Sequence, residues 1–258
     1  MKIGVCVKSV PDTTAKIQVA ADKKNIVEDG LKFVISPYDE FALEQALLYK
    51  DQDASIEVVA FTYGGSKGQD TLRTALAMGA DRAVFISDDS VGSADGLVTA
   101  KVLSQALQKE SIDVVLTGRQ AIDDDNGQVS QMIAEKLSWP YVTVVSQLEM
   151  KSGTFLATRD VEGGAKEVWQ VPTKSVIACT KGLNQPRYAS LKGIMAAKKK
   201  QLDVITVSDL GLEKIAPNIE IVDFELPSTE RKNKMFEGAT QENVDALVKL
   251  LREEAKVI

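Results

Sequence analysis

The feature that most restricts the fold is an alternation through the first 140 residues of short apolar runs with longer amphipathic stripes. Ile3 to Val7, Ile56 to Phe61, Ala83 to Ile86 and Val114 to Thr117 are apolar at odd and even positions alike. A strand with one wet face alternates, whereas strands apolar on both parities are covered on both faces, as in a parallel sheet. Helical patterns lie between them. Ser36-Pro37 reads as an N-cap with proline at the first helical position and Asp39 at the third, followed by Ala42, Leu43, Ala46 and Leu47 on one face. Leu72, Ala75 and Leu76 repeat the pattern, with Gly79 as a stop. Leu97, Ala100, Leu103 and Leu107 form a third stripe, and Val129, Met132, Ile133 and Leu137 a fourth, ended by Trp139-Pro140. Strands alternating with helices imply right-handed βαβ units. The fold class expected is α/β, with a mainly parallel, doubly wound sheet.

After Pro140 the pattern shortens. Tyr141 to Met150, Thr154 to Thr158, Lys166 to Val171 and Val176 to Thr180 read as strands separated by Lys151-Ser152-Gly153 and Gly163-Gly164. They suggest a small antiparallel extension of the sheet. From Asn184 on, the chain reads as irregular and polar until a final helix, Asn243 to Ala255, with Val244, Leu247, Val248 and Leu251 on one stripe. Glu213 to Gly238 is too poor in apolar residues to fold alone. The expected organisation is an α/β domain over residues 1–185 and a docking loop with an arm-like tail over 186–258.

Several function classes fall away. The chain of 258 residues contains no histidine, which excludes a Ser-His-Asp triad, a Cys-His dyad or a histidine metal site made by this chain alone. Its two cysteines, Cys6 and Cys179, form no CxxC pair, and no metal site is expected. Cys6 lies inside the first strand and reads as a buried core residue. A net charge of −6 argues against a duplex nucleic-acid binder. No stretch approaches the roughly 20 apolar residues of a membrane span. The opening MKIGVCVKSVPD lacks a signal-peptide core, and a reducing, cytoplasmic setting is expected.

Ligands of open parallel sheets bind beyond the carboxyl ends of strands, at the switch point. The loops after Val7, before Ser36, after Phe61 and after Thr117 are therefore the candidates. The last, Gly118-Arg119-Gln120-Ala121-Ile122-Asp123-Asp124-Asp125-Asn126-Gly127-Gln128-Val129, begins where a strand ends and finishes where a helix begins. Asn126-Gly127 can take positive φ, and the amides of Gly127, Gln128 and Val129 would point outward from a helix N-terminus, a ready anion site. The three aspartates suit N-capping or acceptance from ribose hydroxyls better than contact with a phosphate. The loop Thr62-Tyr63-Gly64-Gly65-Ser66-Lys67-Gly68 is glycine-rich but matches neither GxxxxGK[ST] nor GxGxxG, and reads as a tight strand-to-helix turn. Lys198-Lys199-Lys200, close to Pro186-Arg187-Tyr188-Ala189-Ser190-Leu191, combines a basic cluster with aromatic and aliphatic anchors, the make-up of an electrostatically steered docking loop.

The chain resembles the beta subunit of electron transfer flavoprotein. The resemblance rests on VCVKSVPDT, Ser36-Pro37-Tyr38-Asp39-Glu40, Thr74 to Arg82, Gly118 to Asp125, Arg159 with Glu162-Gly163-Gly164, and Asn184 to Leu191, and covers essentially the whole length. It implies a heterodimer with an alpha subunit that holds most of the redox FAD, AMP bound here without a redox role, and a C-terminal arm embracing alpha. It implies that electrons come from flavin dehydrogenases and pass to a membrane quinone oxidoreductase. The implied nucleotide contacts are Cys6, Ser36, Pro37, Tyr38, Asp39, Tyr63 and Gly118 through Val129, with Tyr38 near the flavin ring. The implied docking residues are Arg187, Tyr188, Leu191, Lys198, Lys199 and Lys200, and no catalytic side chain of this chain is expected. A second branch bifurcates electrons and binds another FAD in place of AMP; its members tend to have glycine at the place of Asp124, so AMP is expected here. A stand-alone adenine-nucleotide sensor is the third reading, disfavoured by the apolar-poor tail.

Overall fold

In the computed structural model, residues 1–88, 95–151, 153–213, 215–228 and 233–258 are described. Among them the chain forms two units, Met1–Phe224 and Glu225–Ile258. Ser152, placed by sequence in a turn, lies outside the described residues, as do residues 214 and 229–232 of the tail.

The first unit is built on a nine-stranded sheet. In chain order the elements are β1 (Lys2–Cys6), β2 (Ser9–Pro11), β3 (Phe33–Ile35), α1 (Pro37–Gln52), β4 (Glu57–Gly64), α2 (Lys67–Met78), β5 (Arg82–Ser87), α3 (Gly96–Lys109), β6 (Val114–Gly118), α4 (Val129–Leu137), β7 (Tyr141–Lys151), β8 (Thr154–Asp160), β9 (Lys166–Pro172), β10 (Val176–Cys179), α5 (Leu191–Ala197) and β11 (Leu202–Thr206). The sheet runs β11-β5-β4-β1-β6-β10-β7-β8-β9. All neighbours from β11 to β7 pair in parallel, and only β7–β8 and β8–β9 are antiparallel. The antiparallel extension is thus β8 and β9 alone. Val176–Cys179 sits between β6 and β7 as a parallel member, with Ile177 opposite Leu116 and Val142.

Successive residues of the central strands feed opposite faces, which explains their apolar character at both parities. Ile3, Val5, Val58, Ala60, Val114 and Leu116 join one buried cluster with Leu43, Leu47, Leu72 and Leu76 of α1 and α2. Cys6, Val59, Phe61 and Val115 join the other with Leu103, Leu107 and Ile133 of α3 and α4. Helix α4 has the bounds its stripe predicts, and Gly79 ends α2 with φ 146°.

Two departures concern short elements. Ser9–Pro11 and Phe33–Ile35 form a separate antiparallel ribbon. The region after Asn184, expected to be irregular, contains α5 against α2 and β11 on the edge strand position beside β5, with Val204 opposite Phe85. Beyond β11 the chain is tied back by Asn218 N–H to Asp95 Oδ2 (2.5 Å), Lys24 Nζ to Glu220 Oε1 (2.9 Å) and Phe224 N–H to the Lys23 carbonyl (2.7 Å). The second unit contains α6 (Thr240–Glu253), whose Val244, Leu247 and Val248 are exposed.

Candidate functional site

The chain builds β1, β4 and β5 outward on one side and then crosses to β6 on the other side of β1, so the topological switch lies between β1 and β6. A crevice opens at such a point because the connections leave the two strand ends in opposite directions. Cys6 ends β1 and Gly118 ends β6.

Asp39, in the first turn of α1, spans these ends. Its Oδ2 accepts the Lys8 N–H and its Oδ1 the Gly118 N–H, both at 2.8 Å. The side chain therefore does not cap α1. Ser36 occupies the N-cap position but makes no capping bond with its hydroxyl. Burial pushes the Asp39 carboxyl up to about 7 although both amides and Lys8 pull it down. Gly118 is required here: a Cβ would lie 2.5 Å from Asp39 Oδ1 and 2.8 Å from its backbone nitrogen.

Ser36 Oγ and Thr117 Oγ1 are buried without a hydrogen-bond partner, as are Ser9 Oγ, Ser146 Oγ and Asn184 Oδ1. A buried hydroxyl without a partner costs free energy, so such groups mark places where a polar ligand or water completes the structure. The Gly118–Val129 loop runs between β6 and α4. Asp125 (φ 50°) and Gly127 (φ 59°) are both left-handed, and Asp125 N–H reaches the Ala121 carbonyl at 3.0 Å. Gln128 at the N-cap of α4 makes no side-chain cap, so no side chain at that position occupies the first-turn amides. Asn126 N–H bonds Asp124 Oδ1 (3.2 Å), and Gln120 Nε2 bonds Asp125 Oδ1 (2.6 Å).

Lys8, which the sequence reading passed over, controls the charge of this loop. Its Nζ bonds Asp123 Oδ1 (2.8 Å) and Asp124 Oδ2 (3.0 Å). Burial works against the Lys8 charge, but the two aspartates overcome it and hold its pKa above the usual lysine value. Arg119 lies over the Tyr38 ring, 5.3 Å from its centroid. Cys6 and Cys179 are buried thiols, pushed up by burial and then by Asp39. On the other side of β1, the Tyr63 hydroxyl donates to Asp88 Oδ2 (3.1 Å). Tyr63, Ser87, Asp88, Val102 and Thr206 are among the residues lining a cavity of about 240 Å³. Cys6, Tyr63 and Gly118 thus lie at the carboxyl ends of β1, β4 and β6, Asp39 joins the chain after β1 to the end of β6, and the cavity beside Tyr63 is lined by none of the other predicted nucleotide residues. Among the described residues no group of three or more Cys, Asp or Glu is placed to hold a metal ion.

The predicted docking residues divide. Tyr188 is 97% exposed and Leu191 83%, and Lys198 and Lys199 are exposed. Ile194 and Met195, not singled out by sequence, extend the same exposed apolar patch along α5. Arg187 instead grips Glu44 by Nε (2.8 Å) and Nη2 (2.9 Å) and reaches Asp51 (2.7 Å). Lys200 Nζ donates to the carbonyls of Leu76 (3.0 Å) and Ala80 (2.6 Å) at the end of α2. Both side chains anchor the loop to the sheet domain.

The fold is of the open, doubly wound α/β class, with its topological switch between β1 and β6. The chain belongs to the electron transfer flavoprotein family: it matches the Electron transfer flavoprotein domain over residues 24–210. It is similar to proteins named electron transfer flavoprotein subunit beta, at 38% identity to that of Bacillus subtilis over the whole of both chains. That of Sus scrofa is 38% identical over 98% of this chain and 97% of its own, and that of Homo sapiens 36% over 100% and 99%. Among the described residues no helix is long and apolar enough to cross a membrane.

Proposed function

We propose that this chain is the beta subunit of a heterodimeric electron transfer flavoprotein, which binds AMP structurally and helps enclose FAD held mainly by an alpha subunit. The observation that carries the AMP site is the pair of buried, unpartnered hydroxyls of Ser36, just before α1, and Thr117, near the end of β6, together with an α4 N-terminus that has no side-chain cap. Hydroxyls serve ribose or phosphate oxygens, and first-turn amides serve an anion. Gly127 leaves the approach to those amides clear of a side chain, and the Lys8 ammonium offsets two aspartates that would repel an anion. Asp124, a bulkier and acidic residue where bifurcating members tend to carry glycine, leaves less room for a flavin pyrophosphate and supports AMP over a second FAD, and hence a carrier over a bifurcating complex.

The FAD supplies the electron-accepting chemistry when bound. This chain contributes the Tyr38 ring, held under Arg119, at the flavin side, and an arm formed by its C-terminal residues, whose exposed Val244, Leu247 and Val248 have the character of a face that a partner covers. Flavin dehydrogenases dock at Tyr188 and Leu191 with Lys198 and Lys199 steering, and electrons leave for a membrane quinone oxidoreductase. Arg187 and Lys200 position that loop from beneath.

The test is co-expression with an alpha subunit, followed by removal of nucleotide and rebinding of AMP. A one-to-one heterodimer that rebinds AMP, with weaker rebinding in Gly127→Val and Thr117→Val, is expected. A stable monomer that gains nothing from alpha would instead support the stand-alone sensor.

A further inference from the structure

Beyond β11 the chain runs back along α3. The Asp209 carbonyl accepts from Lys109 Nζ (3.0 Å) at the last residue of that helix, and Asn218 N–H donates to Asp95 Oδ2 (2.5 Å) at its N-cap. Between these points Leu210, Leu212 and Ile215 rest on the buried cluster that contains Leu103 and Leu107. Past Ile215 the attachment changes character. Ile219 is 59% exposed and Val222 79%, so apolar burial contributes little there. Polar contacts hold the strap instead: Asn218 on Asp95, then Lys24 with Glu220, Lys23 with Asp223 (3.8 Å), and Phe224 N–H on the Lys23 carbonyl.

Ile215 also forms part of the wall of the cavity beside Tyr63, together with Val102 of α3 and Ser87 at the end of β5. Asp95 serves helix and strap at once. Its Oδ1 accepts Val98 N–H (2.7 Å) and caps α3, while its Oδ2 accepts from the strap. Burial works against the Asp95 charge, but the Val98 and Asn218 amides overcome it and hold the carboxyl below its usual value. We propose that residues 215–224 are a lid on the cavity beside Tyr63 and that Asp95 is its latch: release of Asn218 frees Ile215 to leave the cavity wall while Val98 keeps its bond. One oxygen for each task makes the opening local, because α3 remains capped when the lid lifts. The lid lies on the β4 and β5 side of the sheet, so it does not depend on what the crevice between β1 and β6 holds.

The experiment compares the full chain carrying Val102→Cys with the same chain carrying Asp95→Ser as well. Val102 is fully buried, so its replacement thiol reports access to the cavity when labelled with methyl methanethiosulfonate and read by mass. Amide hydrogen exchange follows Asn218 and Val98 in the same proteins. Serine keeps a capping oxygen for Val98 but has no second one to reach Asn218. Loss of a hydrogen bond to an ionised group is expected to raise labelling by about tenfold or more and to lower Asn218 protection by a similar factor. Val98 protection is expected to hold within about threefold, since serine is as good a cap as aspartate. Cys6 and Cys179, both buried, are expected to stay unlabelled. Lys24→Ala, which removes an exposed pair, is expected to raise labelling only about twofold. An unchanged labelling rate in Asp95→Ser overturns the lid. Equal loss of protection at Val98 overturns it too, because Asp95 is then only a helix cap, and so does labelling of Cys6 and Cys179 at the same rate, which means that the whole sheet domain opens. Where either substitution prevents folding, Asp95→Asn, with one acceptor oxygen for two amides, and Ser87→Cys replace them and are judged by the same outcomes.

Discussion

Arg187 separates an anchoring role from a docking role most clearly. Its guanidinium holds Glu44, whose side chain is 5% exposed, through two charge-assisted bonds, while the backbone N–H of Arg187 adds a third at 3.1 Å. Arg187→Ala removes both side-chain bonds and leaves Glu44 nearly without compensation. Removing one partner of a buried pair costs about 3–5 kcal/mol. Arg187 is itself one-third exposed and Glu44 keeps the backbone bond, so about 2–3 kcal/mol is expected here. The Asp51 contact is exposed and adds little. At roughly 2–4 °C per kcal/mol for a unit of this size, the Tm falls by about 5–10 °C. Glu44→Gln combined with Arg187→Ala recovers part of the loss, because a neutral amide is cheaper to bury than a lone carboxylate. Calorimetry on the three variants checks this. A Tm shift under about 2 °C for Arg187→Ala, or a double variant no better than the single one, refutes the assignment of Arg187 to anchoring.

Other outcomes follow from the same contacts. Lys200→Ala exposes two carbonyls at the end of α2 and is expected to cost about 1–2 kcal/mol in denaturant unfolding, whereas Lys199→Ala stays within about 0.5 kcal/mol. Leu191→Ala, at an exposed position, is expected to leave stability and FAD content unchanged while slowing electron transfer from a dehydrogenase; loss of FAD would make the loop structural instead. The folded-state pKa of Asp39 is raised above its unfolded value, so its contribution to stability is complete below about pH 3.8 and is lost as pH rises through 7. Denaturant midpoints of the wild-type chain minus those of Asp39→Asn are therefore expected to decline from pH 5 to 8, and a difference that grows with pH contradicts the assignment.

What the sequence made legible follows from how each element is stabilised. β1, β4, β5 and β6 are buried on both faces, so their runs stand out, and α4 has clear ends at Val129 and Trp139-Pro140. β11 was not legible because an edge strand of five residues with Asp203 and Thr206 resembles a polar loop; its partner, Ala83 to Ser87, is more than a hundred residues away. Whether Val176–Cys179 lies parallel or antiparallel is decided by β6 and β7 on either side, not by its own four residues. In the site, the loop from Gly118 to Val129 was visible from glycines and aspartates in order. The role of Lys8 was not, because its partners Asp123 and Asp124 lie far along the chain. Arg187 and Lys200 show their charge in sequence but not the Glu44 carboxylate and α2 carbonyls that occupy it.

The central claim is that the switch-point crevice holds AMP while the flavin belongs mainly to a partner. Nucleotide extraction from the purified heterodimer, quantified against protein, tests it directly. The account predicts one FAD and one AMP per heterodimer, with AMP lowered in Gly127→Val. Two FAD and no AMP would contradict it and place the chain with the bifurcating branch.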